Sequence, residues 1–180
     1  MGINFSCVDH TWTLFLDRDG VINQRIFGGY VLGKESFIFE SGALPALAIA
    51  SQRFGKVVVV TNQQCVALGL LSDVELAQIH QDMITEISTY GGRIDAVFAA
   101  TDLKSASPNR RKPNSAMALE AKHQFPEIDF AKSIMVGDTD GDIRFGKQLG
   151  MKTVLVESKE ETQEIPDLSV NSLLELMSKL

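Results

Sequence analysis

Four short polar segments gather the residues of this chain that are best suited to chemistry. They are Asp17-Arg18-Asp19-Gly20, Thr61-Asn62-Gln63, Arg111-Lys112-Pro113 and Gly137-Asp138-Thr139-Asp140-Gly141-Asp142. The first sets two carboxylates two positions apart, so that one can attack while the other moves a proton. A carboxylate attacking phosphorus forms an aspartyl-phosphate and divides one difficult hydrolysis into two easier steps. In that chemistry Asp17 is the candidate nucleophile. Asp19 is the candidate acid/base, protonating the leaving oxygen and then activating the water that clears the intermediate. Thr61 offers a hydroxyl, and its turn with Asn62 offers N–H donors to phosphate oxygens. Lys112 supplies positive charge near both Asp17 and the transferred group, and Pro113 restrains the loop just after it. Magnesium prefers oxygen ligands, commonly one or two carboxylates with phosphate and water. Asp17 and Asp138 can hold such an ion, which would offset the repulsion between a carboxylate and a dianionic phosphate.

Each segment alone has an ordinary explanation. Asp-x-Asp-Gly is commonly a turn, and Thr-Asn a turn or helix cap. Arg-Lys-Pro suits a solvated loop, and acids at a helix start favour the positive end of its dipole. Their placement relative to the predicted elements decides the matter. Thr11–Leu16 reads as a buried strand ending at a carboxylate, and Lys56–Val60 is a lysine followed by four valines, as in a central parallel strand. Ile94–Ala99, Ser133–Val136 and Thr153–Val156 are further short apolar runs. Helical patterns lie between them. Ala43–Phe54 is one. Ser72 and Glu75 form a capping box that opens a second, with an inner stripe of Leu76, Ile79, Met83, Ile87 and Tyr90. Ser115–His123 and Asp140–Leu149 follow, the latter stopped by Gly150, and Asn171–Leu180 closes the chain.

Alternating strands and helices imply a Rossmann-like α/β sandwich of three layers around a parallel sheet. Ligands of such sheets bind at the carboxyl ends of the strands. Asp17 follows the first strand, Thr61 the second and Asp138 the fourth, and Lys112 lies in the loop beyond the third. All four converge on one edge.

Bulk properties bound the rest. The chain of 180 residues fits one domain spanning 1–180, and 44% hydrophobic residues suffice for a core. No apolar run reaches the roughly 18 residues of a membrane span, and no basic-then-apolar leader opens the chain. Two cysteines, Cys7 and Cys65, are too few for a disulfide framework. The expectation is a cytoplasmic protein without a membrane partner. A net charge of −6 argues against a nucleic-acid partner while leaving room for a small anionic ligand at a local positive site. No feature sets an oligomeric state.

The four segments together, in this order, resemble the haloacid dehalogenase (HAD) superfamily over nearly the whole chain. The form Asp17-Arg18-Asp19-Gly20-Val21-Ile22-Asn23, with Thr61-Asn62-Gln63 and Arg111-Lys112-Pro113, is similar to the branch of heptose bisphosphate phosphatases and histidinol-phosphate phosphatases. The resemblance implies a magnesium-dependent phosphatase acting on a small phosphate ester, with Asp17 as nucleophile and Asp19 as acid/base. It implies that Asp17, Asp138 and the backbone carbonyl of Asp19 ligate magnesium, with Asp142 as a further ligand or a support. It implies that Thr61, with Asn62 of the same turn, and Lys112 hold phosphate. Arg111 matches an arginine that reaches substrate in the heptose bisphosphate enzymes.

This chain departs from the branch in three places. The loop 99–110 lacks the Cys and His of a zinc site, so no zinc is expected there. Cys65 and Leu68 replace a usual glycine and a common arginine, and Asn114-Ser115-Ala116 follows Pro113. The segment Asn23–Phe37, with Gly28, Gly29 and Gly33, is read as a short flap that places Tyr30 near substrate. With no domain-sized insertion the cap is minimal, and recognition falls to Tyr30, Arg110 and Arg111. Histidinol phosphate is the second substrate reading. A nucleic-acid end phosphatase and a catalytically silent interaction module are the rivals. His80 and His123 read as surface or packed helix residues, Cys65 as a small packed residue, and Lys159–Glu164 as a solvated loop.

Overall fold

The structure is a computed structural model that describes residues 7–180. Six strands form one parallel sheet: β1 (Thr13–Leu16), β2 (Lys56–Asn62), β3 (Ala96–Ala100), β4 (Ser133–Gly137), β5 (Lys152–Val156) and β6 (Leu168–Val170), in the order β3-β2-β1-β4-β5-β6. Helices α1 (Ala43–Arg53), α2 (Asp73–Thr89), α3 (Ala116–Gln124), α4 (Asp140–Gln148) and α5 (Leu173–Lys179) cover both faces. The result is the expected Rossmann-like sandwich of three layers.

The valine run of β2 explains the sheet's position. Val57 and Val59 face one core, with Leu47 of α1, Met83 and Ile87 of α2 and Leu176 of α5. Val58 and Val60 face the other, with Met117 of α3 and Phe145 of α4. Between Val57 and Val60, where the strand is buried on both faces, every residue is apolar. β1 and β4 alternate in the same way, with Leu14, Leu16, Ile134 and Val136 on one side and Phe15 and Met135 on the other. Fully burying each such side chain contributes about 1.5–3 kcal/mol.

Several element ends differ from the sequence reading, each for a local reason. β1 starts at Thr13 because Thr11 turns back, its N–H and hydroxyl both donating to Asp9 Oδ1. Tyr90 leaves the inner stripe of α2, since the helix ends at Thr89 and Gly91 takes φ +88°; its ring is exposed. α5 begins at Leu173 because Ser172 caps it, accepting from the Glu175 N–H. The three-residue β6 is too short for periodicity to reveal. It pairs with β5, next to a Thr153–Asp167 hydrogen-bond pair.

Strand β1 lies between β2 and β4, with Leu16 in register with Val59 and Val136. The chain fills one side of β1 first and then crosses to the other. That reversal point is where open α/β sheets form ligand crevices.

Candidate active site

Asp17 continues β1 past its last core residue, its N–H donating to the Val136 carbonyl. Asp138 sits in the same position after β4. Asp142, one turn into α4, completes a buried trio whose carboxylate oxygens lie within 4.8 Å of one another. Two glycines allow this crowding. A Cβ on Gly20, at φ +88°, would stand 2.3 Å from Asp138 Oδ2, and one on Gly137 would stand 2.2 Å from Asp142 Cγ. Only a residue without Cβ lets these carboxylates approach.

Lys112 ties two members of the trio together. Its Nζ lies 2.8 Å from Asp17 Oδ1 and 2.6 Å from Asp142 Oδ1, and it donates to the Val60 carbonyl at 2.7 Å. Asn62, at the end of β2, clamps the lysine's backbone: Oδ1 accepts from the Lys112 N–H and Nδ2 donates to the Lys112 carbonyl. Asp142 is held from behind by the capping box of α4, where its Oδ2 accepts from the Thr139 N–H and hydroxyl. Burial opposes the charge on Lys112, but Asp142 and Asp17 outweigh it and raise its pKa. Burial, with repulsion from Asp142, Asp138 and Asp19, pushes Asp17 up to about 7 despite Lys112. Asp138 is pushed up to about 6, mainly by burial.

Asp19 lies in a different environment. Its oxygens accept from Arg18 Nη2, Asn23 Nδ2 and Gln63 Nε2 at 2.8–3.1 Å. Burial opposes ionisation, but Arg18 and these donors prevail and hold the carboxyl below its usual range. Arg18 is itself fully buried, and its Nη1 donates to His80 Nε2 at 3.1 Å. Burial and the adjacent guanidinium push His80 down to about 4, so it is a neutral acceptor. His80 is therefore a packed helix residue with a polar partner two steps from Asp17.

A cavity of about 350 Å³ opens over these groups, lined by Asp17, Asp19, Asn62, Gln63, Arg111, Lys112, Thr139, Asp142 and flap residues 25–31. Tyr30 lines it, its hydroxyl accepting from Gln64 Nε2 at 2.7 Å. Val31 anchors the flap among Cys65, Leu71, Leu76 and Ile79. Cys65 is fully buried, and burial raises its thiol pKa.

The two arginines of the loop before Pro113 part company. Arg111 lines the cavity and forms no ion pair among the described residues; its Nη1 donates to the Asp102 carbonyl. Arg110 does not line it. Its guanidinium is engaged by both oxygens of Glu120 on α3 and by the Ala99 carbonyl, away from the cavity where substrate contact was expected of it. Thr61 is fully buried beneath the cavity wall, where its hydroxyl accepts from Gln63 Nε2.

Sequence reasoning missed Arg25. Its Nη1 donates to both oxygens of Asp138, at 2.9 and 2.8 Å, and its Nε lies 3.8 Å from Glu160. Glu160 belongs to the run expected to be merely solvated, yet it reaches the flap. No local signal marks either residue, since their partners are distant in sequence. The metal-holding expectation fits the donor set. Three buried carboxylates offer only oxygen ligands, and one ligand oxygen from each lies within 4.8 Å of the others.

The sheet order, the reversal point at β1 and the four polar segments fit a HAD-like hydrolase, and by its similarity to the relatives that follow the chain belongs to that family. The HAD-hydrolase-like family model matches residues 109–176. Among curated relatives, the D-glycero-alpha-D-manno-heptose-1,7-bisphosphate 7-phosphatase of Mycobacterium bovis is 37% identical over 134 residues, covering 74% of this chain and 70% of the relative. The enzyme of the same name from Burkholderia mallei is 36% identical over 151 residues, covering 79% and 78%. The solved D,D-heptose 1,7-bisphosphate phosphatase of B. bronchiseptica, complexed with magnesium and phosphate, superposes with a TM-score of 0.83 at 26% identity, covering 93% of this chain and 97% of that one.

Proposed function

We propose that this chain is a magnesium-dependent phosphatase that hydrolyses a phosphate monoester through an aspartyl-phosphate on Asp17, with D-glycero-D-manno-heptose 1,7-bisphosphate as substrate. The observation that carries the reading is the buried trio Asp17, Asp138 and Asp142, with Lys112 bridging Asp17 and Asp142 at the floor of an open cavity. The curated relatives supply the substrate class. Asp17, Asp138 and the Asp19 backbone carbonyl would hold magnesium, with Asp142 supporting them through Lys112. The ion when bound neutralises charge between carboxylate and phosphate.

An Asp17 oxygen attacks phosphorus, and the bond to the ester oxygen breaks. Asp19 gives that oxygen its proton. Water then attacks the acyl-phosphate, Asp19 takes the water's proton, and phosphate leaves with Asp17 restored. The three donors around Asp19 favour its ionised form, which suits the second half-reaction. An incoming phosphate dianion repels that charge and favours the protonated form the first half requires. Lys112 and the Asn62 turn orient the phosphoryl oxygens. The minimal cap leaves recognition of the rest of the ester to the flap around Tyr30 and to Arg111. The buried Cys65 thiol is compatible with the reducing cytoplasm.

The reading is tested by kcat/KM for heptose 1,7-bisphosphate, a sugar monophosphate and histidinol phosphate, in wild type and Arg111→Ala. A charged hydrogen bond to the second phosphate is worth about 1.5–3 kcal/mol, roughly 10- to 150-fold in kcat/KM. The variant should lose that factor with the bisphosphate and little with the monophosphate. A wild-type preference for histidinol phosphate, or an equal loss on all three, defeats the substrate assignment.

A further inference from the structure

Arg25 occupies the carboxylate that a metal would need. Asp138 is fully buried, and among the described residues its side chain has no other hydrogen-bond donor. One nitrogen of Arg25 spans both of its oxygens. That geometry takes up the face of the carboxylate turned toward the flap. A magnesium ion binds oxygen at about 2.0–2.1 Å. Ion and guanidinium on one carboxylate would be like charges a few ångströms apart with little water between them.

Arg25 also divides the space around the site. Asp17, Asp19 and Lys112 line the reaction cavity, whereas Asp138 and Gly20 line a neighbouring cavity of about 350 Å³. Arg25 and Phe27 line both. Arg25, with Phe27, stands between the two cavities, and with its side chain 29% exposed it lies at an accessible edge. Its Nε already faces Glu160, an acceptor for the group once it leaves Asp138. Charge balance gives the partition a purpose. Three adjacent buried carboxylates with Lys112 alone would carry two uncompensated negative charges, and Arg25 removes one of them.

We propose that Arg25 is the resident counter-cation of Asp138, and that a divalent metal ion binds by exchange, displacing the guanidinium toward Glu160 and joining the two cavities. The exchange rests on the magnesium reading above. It makes Arg25 a competitor of the metal: it offsets the charge of Asp138 and weakens metal binding.

Calorimetric titration of the whole chain with Mg²⁺, without substrate, tests this in wild type, Arg25→Met, Arg25→Gln and Arg25→Lys. The methionine keeps the apolar stem, the glutamine keeps an N–H donor, and the lysine keeps the charge. Arg25→Met and Arg25→Gln should bind Mg²⁺ at least about tenfold tighter than wild type, one unit of log K or about 1.4 kcal/mol. Arg25→Lys should stay within about threefold of wild type. In chelator the two neutral variants should melt below wild type, and saturating Mg²⁺ should close that gap. Unchanged or weaker binding in both neutral variants overturns the exchange while the phosphatase reading stands. Absence of Mg²⁺ binding in all four proteins overturns both.

Discussion

Replacing Lys112 by methionine tests the electrostatic knot directly. The side chain is nearly fully buried, and its ammonium serves Asp17, Asp142 and the Val60 carbonyl at 2.6–2.8 Å. Methionine has comparable length, so little cavity forms and the loss is mainly one of charge. Removing one partner of a buried ion pair costs about 3–5 kcal/mol, because the remaining charge stays buried without compensation. In a domain of this size that is roughly 6–20 °C in Tm. The loss depends on pH in a definite direction. The folded-state pKa of Asp17 is raised above its unfolded value even with Lys112 present. Lys112 lowers that pKa, so in the variant it rises further above about 7; the deficit relative to wild type is largest at high pH and shrinks as pH falls toward about 7, where the variant's Asp17 is protonated and the wild type's is still ionised. Urea denaturation in chelator should show a larger deficit at pH 8 than at pH 6, with an unchanged m-value. Magnesium should restore part of it at pH 8 by replacing the lost positive charge. A deficit below about 1 kcal/mol at pH 8, or one that grows on acidification, refutes the reasoning.

Asp17→Asn should abolish turnover, because an amide is a very poor nucleophile, and mass spectrometry should find no acyl-phosphate; wild-type turnover in this variant would end the assignment. Asp19→Asn should retain the nucleophile and lose proton transfer, lowering kcat by roughly 10²–10⁴ as read by rapid quench. Magnesium affinity should fall on acidification, since Asp17 and Asp138, pushed up to about 7 and about 6, must lose protons before ligating. Between pH 8 and pH 5 the loss should be on the order of 10²-fold or more by calorimetry, at about tenfold per unit below each value. A flat affinity profile would exclude these two carboxylates as the ligands.

Much of this site could be read from one chain of letters. Asp17, Asp138 and the Thr61-Asn62 turn follow runs of buried strand residues, and in a parallel sheet all such ends lie on one edge. The valines of β2 announce a strand covered on both faces, because no polar residue interrupts them. The capping boxes of α2 and α4 are likewise local, since Ser72 with Glu75 and Thr139 with Asp142 are each one helical turn apart. These inferences depend on periodicity and on contacts within a few residues, which sequence records directly.

Tertiary structure decided the remainder, because contacts between distant residues leave no trace in local pattern. Arg110 and Arg111 are neighbours of the same type, yet only folding turns one toward Glu120 and the other into the cavity. His80 is one polar residue on an apolar helix face until α2 packs against the strand end and sets it beside Arg18. The pairing of Arg25 with Asp138 spans 113 positions. It exists because the flap folds back over the end of β4, where a buried carboxylate demands a positive charge and the nearest flexible cation supplies it.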